Sequence, residues 1–181
     1  VLSLLYERQG LRDDDLLRWS DYREVGELNG ALAKHAEAVF SALRPHEQRA
    51  FPLVMRYLVA LSQGEEEVPN RRTVPYRDFV SSEGGDHDQK AGAKGFVDLF
   101  VEKRLLVADT DPQGEVTVRV THEALLREWQ RVKEWLTENR EFLRMRDRLD
   151  SSLKLWLSRG KQTDDLLESG LHLAEGEKLV Q

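Results

Sequence analysis

The clearest pattern along the chain is a change of hydrophobic period at Thr121 and His122. Before this corner, valines alternate with polar residues, as in a strand with one buried face. They are Val116, Val118 and Val120. After it, large apolar residues recur at helical spacing, at Leu125, Leu126, Trp129, Val132 and Leu136. The sequence therefore predicts a strand that joins a helix at His122, with polar side chains at the junction.

Upstream of the corner, hydrophobic spacing predicts three helices and a hairpin. The apolar positions follow a helical period over residues 31–43, 45–61 and 91–104. Pro52 is expected to kink or split the second of these helices. Two predicted strands, 105–110 and 115–120, flank the sequence Asp-Pro-Gln-Gly at 111–114, whose residue types are typical of a type I turn. Between the helices, residues 62–73 are predicted as a surface loop and residues 75–80 as a short helix.

Helices followed by a two-stranded hairpin are typical of a winged-helix domain. The prediction is therefore a mainly α fold in three parts: a helical segment (1–44), a winged-helix domain (45–122) and a C-terminal helical region (123–181). In the last part, Asn139 is expected to break the helix and Gly160 to end it.

Composition narrows the functional classes. The chain has 181 residues, 40% hydrophobic residues and a formal net charge of -6, with basic and acidic residues interleaved. This balance argues against a nucleic-acid or anionic membrane surface, because such surfaces concentrate Lys and Arg. The absence of cysteine excludes disulfides and thiolate metal sites, which fits a cytoplasmic protein. No stretch approaches the ~20 consecutive apolar residues of a membrane span, and the start at Val1, within a helical pattern, suggests an excised fragment.

A winged helix raises the alternative of DNA binding through its third helix. That predicted helix offers Lys94, Lys103 and Arg104, but Asp98 and Glu102 offset them. Two alternatives are therefore kept for this fold: a winged-helix DNA-binding regulator and a plain helical scaffold for protein interaction.

Motifs for catalysis or metal binding are missing from the sequence. His122-Glu123 begins like the zinc-protease motif HExxH, but the second histidine is replaced by Leu126. There is no GxSxG nucleophile motif and no GxxxxGK[ST] phosphate loop. The isolated chain is therefore predicted to have no enzymatic activity, no metal and no cofactor of its own.

Three polar residues are candidates for a binding site. If Thr121 caps the following helix, His122 lies in its first turn, where a neutral imidazole can donate a hydrogen bond to a phosphate. The alternative is a histidine satisfied by a backbone carbonyl. Arg71 and Arg72 could hold a phosphate or a carboxylate, or could be solvated or form structural salt bridges.

Four stretches together resemble the region that follows the ATPase core in bacterial STAND proteins, the signal-transduction ATPases with numerous domains. They are YREVGELNGALAKHAEAVFSAL at 22–43, RRTV at 71–74, LFVEKRLLV at 99–107 and VTHEALLREWQRVKEWLTENREFLR at 120–144. The family's region normally begins with a Gly-x-Pro motif, and this chain starts after the place where that motif would be. A double glycine of the family is replaced by Gly26-Glu27.

The resemblance implies a molecular switch. An NTPase domain outside this chain would bind ADP or ATP, and this region would close over it as a regulatory arm. The implied partners are that NTPase domain and C-terminal sensor repeats of the same parent chain. Neither a nucleic acid nor a membrane is expected as a partner, and oligomerisation on activation is compatible with the family. ADP or ATP is expected as a ligand of the parent protein and not of the isolated chain.

The resemblance also implies a role for one residue. In related receptors, a Met-His-Asp motif at the end of the winged helix contacts the nucleotide phosphates in the resting state. Thr121-His122-Glu123 occupies the matching place here. Only the histidine is unchanged, so the phosphate contact is carried over to His122 alone.

Overall fold

A computed structural model describes residues 27–62, 67–80 and 87–161. The predictions for residues 1–26 and for the stretch after Lys161 lie outside the described residues. Within the described part, the fold is mainly helical, with two small antiparallel sheets. The helices are α1 (Glu27–Ala42), α2 (Pro45–Arg49), α3 (Phe51–Leu58), α4 (Arg77–Val80), α5 (His87–Glu102), α6 (Ala124–Glu128) and α7 (Gln130–Ser158). The strands are β1 (Val59–Leu61), β2 (Pro69–Arg71), β3 (Val74–Pro75), β4 (Leu106–Thr110) and β5 (Val116–Val120).

Proline decides where the second predicted helix divides. The segment splits at Ala50 into α2 and α3, as the position of Pro52 suggested. Pro45 and Pro52 each lie in the first turn of their helix, where a missing N–H leaves no intrahelical hydrogen bond unmade. In α2, the Glu47 carboxylate also accepts a hydrogen bond from the Arg44 backbone N–H at 2.8 Å, which stabilises the helix start.

The predicted hairpin is confirmed, and its turn chemistry is visible. The Gly114 N–H donates to the Asp111 carbonyl at 3.0 Å. The Asp111 side chain accepts hydrogen bonds from the backbone N–H groups of Gln113 at 2.9 Å and Glu115 at 2.8 Å. Gly114 has a φ of 83°, which a residue with a side chain rarely adopts. These contacts set the register in which Leu106 lies opposite Val120.

The two-stranded form of this sheet was a wrong prediction, and the short helix predicted over residues 75–80 is confirmed only from Arg77. β3 pairs with β5, so the sheet has three strands in the order β3-β5-β4, and α4 begins only at Arg77. Val74 lies opposite Val118, and the Tyr76 N–H donates to the Val116 carbonyl at 2.8 Å. A two-residue strand is too short to show an alternating pattern, and Pro75 is tolerated because β3 is an edge strand.

The surface loop predicted over residues 62–73 was also wrong in part. β2 pairs antiparallel with β1, and Val59 lies opposite Arg71. All three residues of β2 are exposed or half-buried. The strand therefore carries no hydrophobic signal of its own, and only its pairing with β1 identifies it.

The core is built around aromatic rings. The ring centroids of Phe40 and Phe51 are 5.7 Å apart, and those of Phe51 and Trp129 are 5.5 Å apart, both in edge-to-face geometry. Phe96 stacks on Phe100 at 4.1 Å. Edge-to-face and offset-stacked rings are the favoured arrangements of aromatic pairs. These contacts join α1, α3, α5 and the start of α7 in one hydrophobic cluster.

That cluster receives side chains from each of the three parts proposed from the sequence. Phe40 comes from residues 1–44, Phe96 from 45–122 and Trp129 from 123–181. The boundaries at 44 and 122 stay a prediction.

The long helix α7 corrects another prediction. It runs without a break through Asn139, whose side-chain amide donates to the Trp135 carbonyl one turn earlier at 3.0 Å. The asparagine is thus accommodated inside the helix. The predicted stop at Gly160 is confirmed: its φ is 74°, and the Lys161 N–H donates to the Trp156 carbonyl at 2.9 Å. This is the Schellman pattern of a helix end.

The two halves of α7 differ in their surroundings. In the first half, Val132, Trp135, Leu136 and Leu143 are buried. In the second half, Leu153, Leu155 and Leu157 have about half of their surface exposed, at 51%, 47% and 50%. Helix α7 therefore buries large apolar side chains through its first half, and its C-terminal turns present apolar side chains on the surface.

Candidate functional site

The corner after β5 is anchored through Thr121. Its backbone N–H donates to the Leu105 carbonyl at 3.1 Å, and its hydroxyl donates to the Arg104 carbonyl at 3.0 Å. Arg104 has a φ of 60°, an unusual conformation for a residue with a side chain. Thr121 is therefore bound to the chain segment that enters β4, and the corner is held to the base of the hairpin.

Thr121 is not the cap of the following helix, which corrects the sequence-based prediction. Helix α6 starts at Ala124 and its capping position is Glu123. The Thr121 hydroxyl donates to the Arg104 carbonyl at the base of the hairpin and is not the cap of α6. Instead, the His122 carbonyl accepts the Leu125 N–H at 3.0 Å, and the His122 ring accepts the Ala124 N–H.

The ring contact determines which nitrogen of His122 can donate. The Ala124 N–H lies 3.2 Å from His122 Nδ1. Because a backbone N–H can only donate, Nδ1 is the acceptor, and the neutral imidazole carries its hydrogen on Nε2. His122 is exposed, so the Nε2–H is available to an acceptor outside the described part of the chain. The ring is held by a backbone N–H and not by a backbone carbonyl, the alternative considered from the sequence.

The structure brings Arg71 to the same corner. Its Nη1 lies 3.4 Å from the Thr121 carbonyl oxygen, and its Nε lies 3.7 Å from Glu123 Oε1. Arg127, one turn further along α6, has its Nη2 at 3.7 Å from the other carboxylate oxygen of Glu123. Two guanidinium groups therefore flank Glu123, the residue that directly follows His122.

Arg72 lies elsewhere, although it follows Arg71 directly. Its guanidinium donates to Asp150 Oδ2 on α7 at 2.7 Å, and its backbone N–H donates to the Leu58 carbonyl. For Arg72, the structural salt bridge considered from the sequence is therefore the interaction that forms. Of the two candidate arginines, only Arg71 joins the corner.

A polar contact network between α7 and the β1–β2 hairpin was not predicted from the sequence. Asp147 Oδ2 accepts the Leu61 backbone N–H at 2.9 Å. Arg146 donates to Asp147 and to the carbonyls of Arg56 and Val59. Burial lowers the pKa of the Arg146 guanidinium, and its bond to Asp147 acts in the opposite direction. The network ties α7 to the hairpin that carries Arg71 and Arg72.

A second ion-pair contact supports the same attachment. Glu67, just before β2, accepts hydrogen bonds from the guanidinium of Arg144 and lies 3.6 Å from Arg140. The bond from Arg144 lowers the pKa of Glu67, helped by the positive charge of both arginines. Glu67 and Arg144 are 77 positions apart in the chain, so no local sequence pattern could have indicated their contact.

Helix α1 is fixed to the start of α7 through Glu37. The carboxylate accepts hydrogen bonds from Trp129 Nε1 at 2.7 Å and from Arg131 Nη2 at 2.6 Å. The Arg131 guanidinium also lies over the Phe40 ring, 3.9 Å from its centroid, in cation–π geometry. The bond from Arg131 lowers the pKa of Glu37, against the effect of burial, and Trp129 adds to the lowering.

A comparison with models of protein families identifies the family of this chain. A model of the family Novel STAND NTPase 1 matches residues 1–164. The chain belongs to this family. The match includes the corner at Thr121–Glu123, both arginines of the hairpin and the whole of α7. Searches of curated proteins and of solved structures each found no significant match.

Two further findings concern this member of the STAND family. Of the helices that the structure describes, none has both the length and the apolar character that a bilayer span requires. Within residues 27–62, 67–80 and 87–161, no group of three His, Asp or Glu side chains is arranged to hold a metal ion.

Proposed function

We propose that this chain is the regulatory arm of a STAND-type NTPase switch. In the parent protein it closes over an NTPase domain that holds ADP or ATP, and it relays signals from sensor repeats. The observation that carries the proposal is the state of His122: its Nδ1 is occupied by a backbone N–H, and its remaining N–H is on an exposed corner. Membership of the STAND family supports a partner with a bound nucleotide.

The proposal includes a winged-helix assignment for the central part of the chain. Helix α3, strand β3, helices α4 and α5, and the hairpin β4–β5 occur in the order of such a domain, with β1 and β2 inserted between α3 and β3. The hairpin β4–β5 would be the wing of this domain. The pairing of β3 with β5 supports the assignment, because it joins a short strand between helices to the wing. His122 then lies at the end of this hairpin, in the place that the phosphate-contacting histidine has in the related receptors.

The proposed mechanism depends on a hydrogen bond donated by His122. In the resting state, His122 Nε2–H donates to a phosphate oxygen of ADP and holds the wing against the NTPase domain. A hydrogen bond to a charged group contributes about 1.5–3 kcal/mol, which shifts a two-state population by roughly ten- to a hundred-and-fifty-fold. Exchange of ADP for ATP, or a conformational change in the sensor, removes this bond and releases the arm.

The isolated chain is expected to lack ATPase activity and to bind nucleotide negligibly. The NTPase domain would supply the phosphate loop and hold the nucleotide, and this chain would supply only one contact to the nucleotide's phosphates. Calorimetry with ATP on the 181-residue chain checks this expectation. Tight binding would contradict the proposed division of the site.

The decisive experiment uses the full-length parent with its NTPase domain. His122→Ala is expected to accelerate release of a fluorescent ADP analogue by about tenfold or more, since it removes a charge-assisted hydrogen bond, and to raise basal signalling. The control is His35→Ala, because His35 is also exposed but its ring contacts the Lys103 carbonyl and not a residue of the corner. If ADP release is the same for His122→Ala and for the wild type, the sensor role is wrong.

A further inference from the structure

We propose that Arg71 and Arg127 complete an anion site with His122, and that Arg71 is a second phosphate ligand of the switch. The ligand is the terminal phosphate of the nucleoside diphosphate in the NTPase domain. This inference rests on the proposed function and specifies the side chains that supply positive charge at the contact.

The first argument is that Arg71 is directed to the corner by the fold. It is the last residue of β2, and its guanidinium donates to the Thr121 carbonyl, 50 positions later in the chain. Thr121 directly precedes His122 and is itself bonded to the segment that enters β4. Arg71 is therefore held beside the histidine by a backbone contact, and its remaining N–H groups are left for other acceptors, since a guanidinium has five.

The second argument is the charge balance. Glu123 lies 3.7 Å from both Arg71 and Arg127, well beyond the 2.7–2.9 Å of a close charge-assisted hydrogen bond. Two guanidinium groups and one carboxylate leave a local charge of +1 (two positive minus one negative). The three side chains are between 40% and 49% exposed. A phosphate approaching His122 therefore meets two loosely paired cations that can rotate toward it.

The third argument is the contrast with Arg72. Its guanidinium is 2.7 Å from Asp150, in a close ion pair that joins the hairpin to α7. Arg71 and Arg72 have the same side chain and are adjacent in the chain, but Arg72 forms a close ion pair, whereas Arg71 makes only a 3.4 Å contact with the Thr121 carbonyl and a 3.7 Å contact with Glu123. Arg72 therefore provides a matched control for loss of charge at this part of the hairpin.

The test measures release of a fluorescent ADP analogue from the full-length protein, together with the thermal melting temperature of each variant. Arg71→Gln is expected to accelerate release by about tenfold, as for loss of a charge-assisted hydrogen bond. Arg127→Gln is expected to act in the same direction, and Arg71→Lys to act less than Arg71→Gln because it keeps the charge. Arg72→Gln is expected to lower the melting temperature more than Arg71→Gln but to leave release unchanged.

The outcomes separate the two proposals. If Arg71→Gln releases ADP at the wild-type rate while His122→Ala accelerates release, Arg71 is not a ligand and the switch stands. If release among the variants follows the loss of melting temperature, so that Arg72→Gln is the fastest, Arg71 has only a structural role and the inference is overturned. If His122→Ala also has no effect, the proposed function fails with it.

Discussion

Replacement of Asp147 by alanine is expected to detach α7 partly from the β1–β2 hairpin and to destabilise the domain. The carboxylate accepts two kinds of hydrogen bond, from the Leu61 backbone N–H at 2.9 Å and from Arg146 Nε at 3.0 Å. Both charged side chains are largely shielded from water, with exposures of 18% for Asp147 and 14% for Arg146. The alanine variant therefore leaves a shielded guanidinium without its carboxylate partner.

The size of the effect follows from these contacts. Loss of a hydrogen bond to a charged group costs about 1.5–3 kcal/mol. Removing one partner of a fully buried ion pair costs about 3–5 kcal/mol, which is an upper limit here. Arg146 keeps its bonds to the carbonyls of Arg56 and Val59, so its charge stays partly satisfied. We expect a loss of about 2–3 kcal/mol in the free energy of unfolding, within the range for hydrogen bonds to charged groups.

The assay is urea denaturation of the 181-residue chain, followed by circular dichroism. Asp147→Asn should lose less than Asp147→Ala, because the amide oxygen can still accept the Leu61 N–H. Glu138→Ala is the control, since Glu138 is exposed on the same helix and a surface substitution usually changes stability by less than about 0.5 kcal/mol. A loss below about 0.5 kcal/mol for Asp147→Ala would refute the view that these polar contacts hold α7 in place.

Two further predictions concern packing and pH. A Cβ added at Gly92 would lie 2.5 Å from a backbone carbonyl oxygen of α2. Gly92→Ala should therefore lower the stability by about 1–3 kcal/mol, as overpacking does, and thermal melting will measure this loss. An unchanged melting temperature would show that α5 and α2 can separate freely. The pKa of Glu37 is lowered in the folded state, chiefly by its bond from Arg131. The ionised carboxylate therefore stabilises the fold fully above the unfolded pKa of about 4.3, and this contribution is lost as the pH falls through the folded pKa. Glu37→Gln should therefore make the urea midpoint less sensitive to acid than in the wild type, and an unaltered pH dependence would count against the bond's contribution.

Elements with a strong local signal were predictable. The hairpin was found because Asp111 and Gly114 have the side-chain and backbone properties that its turn requires, and both act as expected in the structure. The helix stop at Gly160 was found for the same reason. The predicted break at Asn139 was wrong because the preference of asparagine for helix ends is weak, and the packing of α7 on the domain outweighs it.

The candidate site was only partly predictable. His122 could be selected as a polar residue at a change of period, and the resemblance to STAND proteins gave it a role. Its ring orientation could not be predicted, because this depends on whether Thr121 or the imidazole serves the start of α6. In the structure the imidazole accepts the Ala124 N–H, while the Thr121 hydroxyl donates to the Arg104 carbonyl, 17 positions earlier in the chain.

The sequence by itself determined the periods of burial, the turn and the change from strand to helix at His122, since these depend on residues within a few positions of one another. The tertiary structure alone decided that Arg71 faces the corner while Arg72 faces α7. Arg71 ends β2 and Arg72 directly follows it, and which of them meets which element depends on how distant parts of the chain pack. The partners of Arg71 and Arg72 lie 50 and 78 positions away, and no local pattern specifies a contact at that distance.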